Sequence, residues 1–197
     1  MNNDNPYSVT TAILHDDQLK QSDAVANDLK FYTVAPLKFI LLFVGTFGFY
    51  KYYWFYKNWS RYKANSNDDI WPVMRAIFPI FFVHTLFGRV DEAIKEQPHE
   101  HFWSPNALVA SFVIFQLIIN LTGRVPSGEY ENIALGIQLI LMVPVMGFIL
   151  YLAQRAINVA CGDPEGASNS KFSAVNWLWI VCGGIFLLMV IAGLLMK

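Results

Sequence analysis

The stretch AVNWLWIVCGGIFLLMVIAGLLM, residues 174–196, decides the fold class of this chain. Its 23 residues include no Asp, Glu, Lys, Arg or His. Because about 20 apolar residues in an α-helix cross the hydrocarbon core of a bilayer, the stretch predicts a transmembrane helix. Residues 107–122 and 133–153 are uncharged in the same way. We therefore expect an all-α, polytopic membrane protein whose residues 106–197 form a three-helix transmembrane bundle.

The overall composition agrees with a membrane protein. Of 197 residues, 55% are hydrophobic and 15% are charged, against about 25% charged in globular proteins. A soluble domain of this size would have difficulty burying so much apolar surface, which excludes an ordinary water-soluble enzyme. The net charge of -1 provides no positive field for nucleic acid, so nucleic acid is excluded as a partner.

The first half of the chain is less regular. Residues 37–50 are apolar except for Lys38, but this stretch is shorter than a full crossing. It either crosses, with its flanking lysines reaching the headgroups, or it returns to the side from which it entered. Residues 77–88 are shorter still and contain Pro79 and His84, which predicts a re-entrant or interfacial segment. The alternatives give three to four transmembrane helices plus this short segment.

Loop charges predict the orientation, because short cytoplasmic loops collect Lys and Arg. Residues 51–75 carry five basic side chains and are placed in the cytoplasm, whereas residues 123–132 are placed outside. The regions are then a polar, acidic tail (1–36), an aromatic-basic helix with the re-entrant or interfacial segment (37–105), and the bundle (106–197). The tail has no early apolar run, so no cleavable signal peptide is expected.

Aromatic and basic residues alternate before the bundle. Of the 31 aromatic residues, 14 lie between residues 31 and 62, a pattern typical of the headgroup layer. Basic side chains at that depth attract anionic lipids. The residues predicted to bind lipid are Lys51, Lys57, Arg61, Lys63, Trp54 and Trp59.

Isolated polar residues in the apolar segments permit two interpretations. Gln116 and Asn120 are four residues apart and share a helix face, and Gln138 lies in the next span. His84 is the titratable group of the 77–88 segment. These four side chains either form structural hydrogen bonds or line a polar path through the membrane.

Metal and catalytic motifs are weak or missing. His99 and His101 flank Glu100, but they lie in a loop with no cysteine nearby, so they are weak metal candidates. Neither a metal nor another cofactor is expected. The common hydrolase, metalloprotease and nucleotide-binding motifs do not occur. An enzyme that acts on lipid headgroups is therefore only a third alternative.

The run FYTVAPLKFILLFVGTFGFYKYYWFYKNW, residues 31–59, resembles a family of small bacterial membrane proteins of unknown function. Its members share a Leu-rich stretch followed by Thr-x-Gly-x-Tyr-x-x-Tyr-Trp-x-Tyr-Lys-Asn-Trp. The matching residues are Thr46, Gly48, Tyr50, Tyr53, Trp54, Tyr56, Lys57, Asn58 and Trp59. The Asn5-Pro6-Tyr7 start is similar as well. The resemblance spans residues 5–59 at most and implies a bacterial inner membrane, but no activity and no functional residue.

Two functions remain from different classes. The first is a non-enzymatic accessory or scaffold subunit that binds a membrane-protein partner, or copies of itself, together with anionic lipid. Its last helix would approach the partner at Gly183, Gly184 and Gly193. The alternative is a small transporter or lipid-handling channel with a polar path near the re-entrant segment.

Overall fold

The computed structural model describes residues 30–97, 101–122, 124, 136 and 143–195. All regular elements in these residues are helical, which confirms the predicted all-α class. In chain order they are α1 (Pro36–Gly45), α2 (Tyr50–Ala64), α3 (Pro72–Ile77), α4 (Pro79–Lys95), α5 (Pro105–Thr122), α6 (Val143–Ala160) and α7 (Ala174–Leu195). A short 3₁₀ turn, Ala167–Asn169, precedes α7.

Helices α1 and α2 form a hairpin, which with its lead-in comprises residues 30–64. The Phe39 ring centroid lies 5.7 Å from that of Tyr50, and the Phe31 centroid lies 5.9 Å from that of Tyr62. The two halves are therefore antiparallel, and residues 30 and 64 lie at the same end. Residues 37–50 therefore do not form one continuous helix, since the chain reverses direction within them.

The tip of the hairpin is residues 46–49. The Thr46 hydroxyl donates to the Leu42 carbonyl at 2.7 Å and accepts the Tyr50 N–H at 2.9 Å, so it ends one helix and begins the next. Phe47 and Gly48 both have positive φ, 53° and 80°. Glycine adopts this backbone conformation without steric cost, which explains a glycine between two aromatic residues.

Two helices in the described part of the chain, α5 and α6, are long and apolar enough to cross a membrane. Helix α5 coincides with the predicted span 107–122 to within two residues. Helix α7 covers 22 residues of the predicted span 174–196. Helix α6 continues to Ala160, past the predicted end at residue 153, whereas residues 133–142 lie outside the described residues except for 136.

The predicted short segment 77–88 is part of a longer helix. Helix α4 starts at Pro79 and runs for 17 residues, through Arg89 to Lys95. Proline is well suited to the first turn of a helix, so Pro79 begins this helix and does not interrupt one. One face is buried against α5 and α6, and the opposite face is exposed. The helix is therefore amphipathic, a pattern typical of helices that lie at a membrane surface.

Helix α1 packs between α6 and α7. Gly183 of α7 lies so close to the Gly45 carbonyl of α1 that a β-carbon at position 183 would overlap it. In the hairpin lead-in, residues 31–34 are buried. The predicted polar tail 1–36 is therefore wrong for these residues, which belong to the core, while residues 1–29 lie outside the described part.

Candidate functional site

An extended segment, residues 31–35, crosses the core without helical hydrogen bonds. Asn158 of α6 replaces them at Val34, because its Oδ1 accepts the Val34 N–H at 3.2 Å and its Nδ2 donates to the Val34 carbonyl at 2.9 Å. At Tyr32, Asn58 accepts from the N–H at 3.1 Å and Gln154 donates to the carbonyl at 3.1 Å. Buried main-chain polar groups are thus paired with side-chain amides.

These three amides, Asn58, Gln154 and Asn158, form what we call the amide network. Gln154 Nε2 also donates to Asn158 Oδ1 at 2.7 Å, and Gln154 Oε1 accepts from the Trp54 indole N–H. Asn58 Nδ2 donates to the Trp54 carbonyl at 2.9 Å. Since every member is bonded and buried, the network fixes the hairpin to α6, and it has a structural role.

A second polar group lies at the other end of the hairpin. There the tip, α5, α6 and α7 line an open-sided cavity of about 280 Å³, which we call the tip cavity. Most of its wall is apolar, with Phe47, Met146 and Phe186 among the lining residues. The polar side chains in the wall are Lys51, Tyr52, Gln116 and Asn120.

Lys51 is the charged residue of the tip cavity. Its side chain is 9% exposed, and Nζ donates to Gln116 Oε1 at 2.8 Å and lies 5.0 Å from the centre of the Tyr52 ring. Both partners are neutral. In the described residues, no carboxylate pairs with Lys51. A buried ammonium with no counter-charge is energetically costly, and the site therefore favours a negative charge.

The tip cavity lies near the middle of the long helices. At 1.5 Å per residue, Gln116 is about 17 Å from the start of α5 and Gly183, which touches Gly45, is about 14 Å from the start of α7. Each distance is about half of a hydrocarbon core of about 30 Å. If α5 and α7 span a bilayer, Lys51 is near its centre.

A larger, apolar cavity of about 590 Å³ lies between the hairpin and α7, and we call it the side cavity. Leu42 and Tyr50 line it from the hairpin, and Val175 and Trp179 line it from α7. Phe49 and Tyr52 line both cavities. The two spaces are therefore neighbours that share a wall of aromatic rings.

Of the four residues predicted for a polar path, the structure brings Gln116 and Asn120 together in the tip cavity. His84 is elsewhere: it is exposed on α4 and forms a 3.1 Å hydrogen bond with the neighbouring Thr85 hydroxyl. Gln138 lies outside the described residues. Lys51 is not among the residues that the sequence predicts for a polar path, because its aromatic and basic neighbours indicate a surface position.

The six residues predicted to bind lipid are separated. Trp54 and Trp59 are fully buried, so their rings do not reach a lipid headgroup, and this part of the prediction is wrong. Lys51 is internal. Lys57, Arg61 and Lys63 remain at or near the surface, where Lys63 donates to the Ile70 carbonyl at 2.8 Å. Lipid binding by these three stays a prediction.

The weak metal candidates gain no partners in the described chain. His99 lies outside it, and His101 is half-buried before α5. Burial and the positive charge of Arg155 lower the pKa of His101. Nowhere in the described ranges do three His, Cys, Asp or Glu side chains come together as a metal site would require.

Comparison of the chain with protein-family models, with curated proteins and with solved structures finds no match. The resemblance to small bacterial membrane proteins therefore stays a prediction, and the function has to be inferred from the site itself.

Proposed function

We propose that the protein is a multi-pass protein of the bacterial inner membrane that binds and moves a polar ligand through the tip cavity. The observation that carries the proposal is Lys51, a buried cation whose hydrogen-bond partner is the neutral Gln116. This is the transporter or lipid-handling alternative of the sequence analysis, with the polar path formed by Lys51, Gln116 and Asn120.

The proposed topology has three crossings, α5, α6 and α7, and a re-entrant hairpin. Non-helical backbone is tolerated inside a membrane where protein buries it and satisfies its hydrogen bonds. The extended segment meets this condition through the amide network, and the tip meets it through the Thr46 hydroxyl. The basic side chains of residues 57–75 favour the cytoplasm for both ends of the hairpin.

A structural role explains Lys51 less well than a binding role. At a buried position, two apolar side chains are at least as stabilising as a lysine with its hydrogen-bond partner. The reason is that a charged group loses its hydration when it is buried. Ionisable residues inside membranes commonly mark substrate or ion pathways. The cavity beside Lys51 supports this view, since a structural contact does not need the open space.

The test is the access of water to Asn120, which lines the tip cavity, compared with its neighbour Leu121, which is exposed at the same depth of α5 but does not line the cavity. Each is changed to cysteine in a chain that carries Cys161→Ala and Cys182→Ala. In open membrane fragments, a membrane-impermeant thiol reagent should modify N120C and leave L121C intact, while both react after denaturation. If N120C and L121C react alike, the polar path is contradicted.

The accessory subunit is the second candidate, and α7 favours it. A β-carbon on Gly184 or on Gly193 would meet nothing within 4 Å among the described residues, whereas Gly183 is already packed against Gly45. A partner helix would fit closely at the two open glycines. Purification in a mild detergent, followed by mass spectrometry, should recover a stoichiometric protein if this candidate is correct, and only lipid if the transporter is correct.

A further inference from the structure

The tip cavity offers more hydrogen-bond donors than its one internal bond uses. The Lys51 ammonium has three N–H groups, and one of them is directed to Gln116. The amide groups of Gln116 and Asn120 supply further N–H donors in the same wall. Phosphate and carboxylate oxygens form their strongest hydrogen bonds with such charged donors. The chemistry of the wall therefore fits an oxyanion better than a neutral sugar or a cation.

The side cavity supplies the opposite chemistry. Leu42 of α1 and Val175 and Trp179 of α7 present hydrocarbon and ring carbon to it, beside a smaller polar part of the wall formed by Thr46, Ser173 and Asn176. Its volume of about 590 Å³ is roughly twice that of the tip cavity. A free inorganic anion has no apolar part that could occupy the side cavity. A molecule that carries an acidic head and an apolar chain could occupy both cavities by passing the shared rings of Phe49 and Tyr52.

We infer that the ligand is an anionic amphiphile, with its acidic head bonded to Lys51 and Gln116 in the tip cavity and its apolar chain in the side cavity. This inference rests on the proposed function and names the ligand class. It places the charge complementarity at Lys51 and the apolar contact at the side cavity. Both parts of the ligand thus have a separate, testable site.

The experiment uses the full-length protein, stripped of lipid in a neutral detergent and titrated by native mass spectrometry. The probes are phosphatidylglycerol, which is anionic, and phosphatidylcholine, which has no net charge. We expect one tightly bound phosphatidylglycerol per chain and at least tenfold weaker phosphatidylcholine binding. Lys51→Met should weaken phosphatidylglycerol binding by about tenfold, the order expected for one charged hydrogen bond.

Two matched variants control for charge and for folding. Lys171→Met removes the same charge from an exposed position, outside the residues that line the cavities and outside those predicted to bind lipid, and should change the affinity less than twofold. Lys51→Arg keeps the charge and should retain most of the binding. Val175→Trp, which fills the side cavity without touching Lys51, should also weaken phosphatidylglycerol binding. The melting temperature of each variant shows whether it is folded.

Competition with inorganic phosphate distinguishes a free anion from a lipid headgroup as the ligand of Lys51. If millimolar phosphate displaces phosphatidylglycerol completely and Val175→Trp has no effect, the site takes a free anion, and the amphiphile is contradicted. Equal loss of binding in Lys51→Met and Lys171→Met, or equal affinity for both lipids, also overturns the inference. These outcomes leave the thiol labelling of N120C unaffected, so failure of the ligand class is distinct from failure of the polar path.

Discussion

Asn158 forms two hydrogen bonds with Val34, one to its carbonyl oxygen at 2.9 Å and one from its N–H at 3.2 Å. One side chain of α6 thereby pairs both main-chain polar groups of an extended residue that lies 124 positions away in sequence. The pair fixes the lead-in of the hairpin to α6. The position of the tip, and with it that of Lys51, depends on this anchor.

Replacing Asn158 by leucine should destabilise the protein strongly. Leucine branches at the same position as asparagine but leaves two buried main-chain groups at Val34 unpaired, at a cost of about 1–3 kcal/mol for each group. The melting temperature in detergent should fall by many degrees. Asn67→Leu, at an exposed loop position, is the control and should change stability by less than about 0.5 kcal/mol. Equal melting temperatures for the two variants would contradict a structural amide network.

Replacing Lys51 by methionine should leave stability unchanged or raise it. The variant removes a buried charge, and Gln116 still lines the tip cavity together with the polar side chains of Tyr52 and Asn120. Lys38→Met is the matched comparison, because Lys38 is also buried but donates to Asn169 Oδ1 and to the Lys171 carbonyl, each at 2.6 Å. Thermal unfolding should show a loss for Lys38→Met alone. A larger loss for Lys51→Met would assign Lys51 a structural role.

Neighbouring glycines of α7 should respond differently to alanine. Gly183→Ala places a methyl group on the Gly45 carbonyl and should force α7 away from α1, at a cost of about 1–3 kcal/mol. Gly184→Ala meets open space among the described residues and should be neutral, or stabilising by up to about 1 kcal/mol through helix propensity. Denaturation in a mixed detergent measures both. Identical effects would contradict the close packing of α1 on α7.

The carboxylate of Asp91 should make stability depend on acid pH. Lys95 at 2.7 Å, and then the Trp103 indole N–H at 3.0 Å, hold the pKa of Asp91 below its ordinary value. A lowered pKa in the folded state stabilises the protein above the ordinary pKa, and this contribution is lost as the pH falls below about 4. The melting temperature of the wild type should therefore fall more steeply there than that of Asp91→Asn, and parallel curves would refute the assignment.

The long helices could be predicted because their uncharged lengths match a bilayer. The end of α6 was predicted too early, since Gln154 and Asn158 read as polar loop residues in the sequence although both are buried. Their spacing of four residues, which places them on one helix face, was the available signal. Gln154 donates to the main chain at residue 32, and Asn158 donates to the main chain at residue 34. Such long-range contacts cannot be read from a local sequence pattern.

Half of the candidate site could be predicted. The spacing of Gln116 and Asn120 indicated a shared polar face, and the structure places both in the tip cavity. Lys51 was assigned to the surface because helix periodicity does not show that the chain reverses at residues 46–49. The same reversal buries Trp54 and Trp59, which the aromatic-basic pattern had placed in the headgroup layer.

The proposed function requires that the hairpin lies inside the bilayer, because water would hydrate Lys51 at an exposed tip and no anionic ligand would be needed there. A nitroxide at Val44, which is 55% exposed and lies two residues before the tip, measures that depth directly in vesicles. The account predicts high accessibility to oxygen and low accessibility to a water-soluble nickel complex, as for a label at Leu117 of α5. Accessibility to nickel equal to that of a label at Asp69, on an exposed loop, would contradict it.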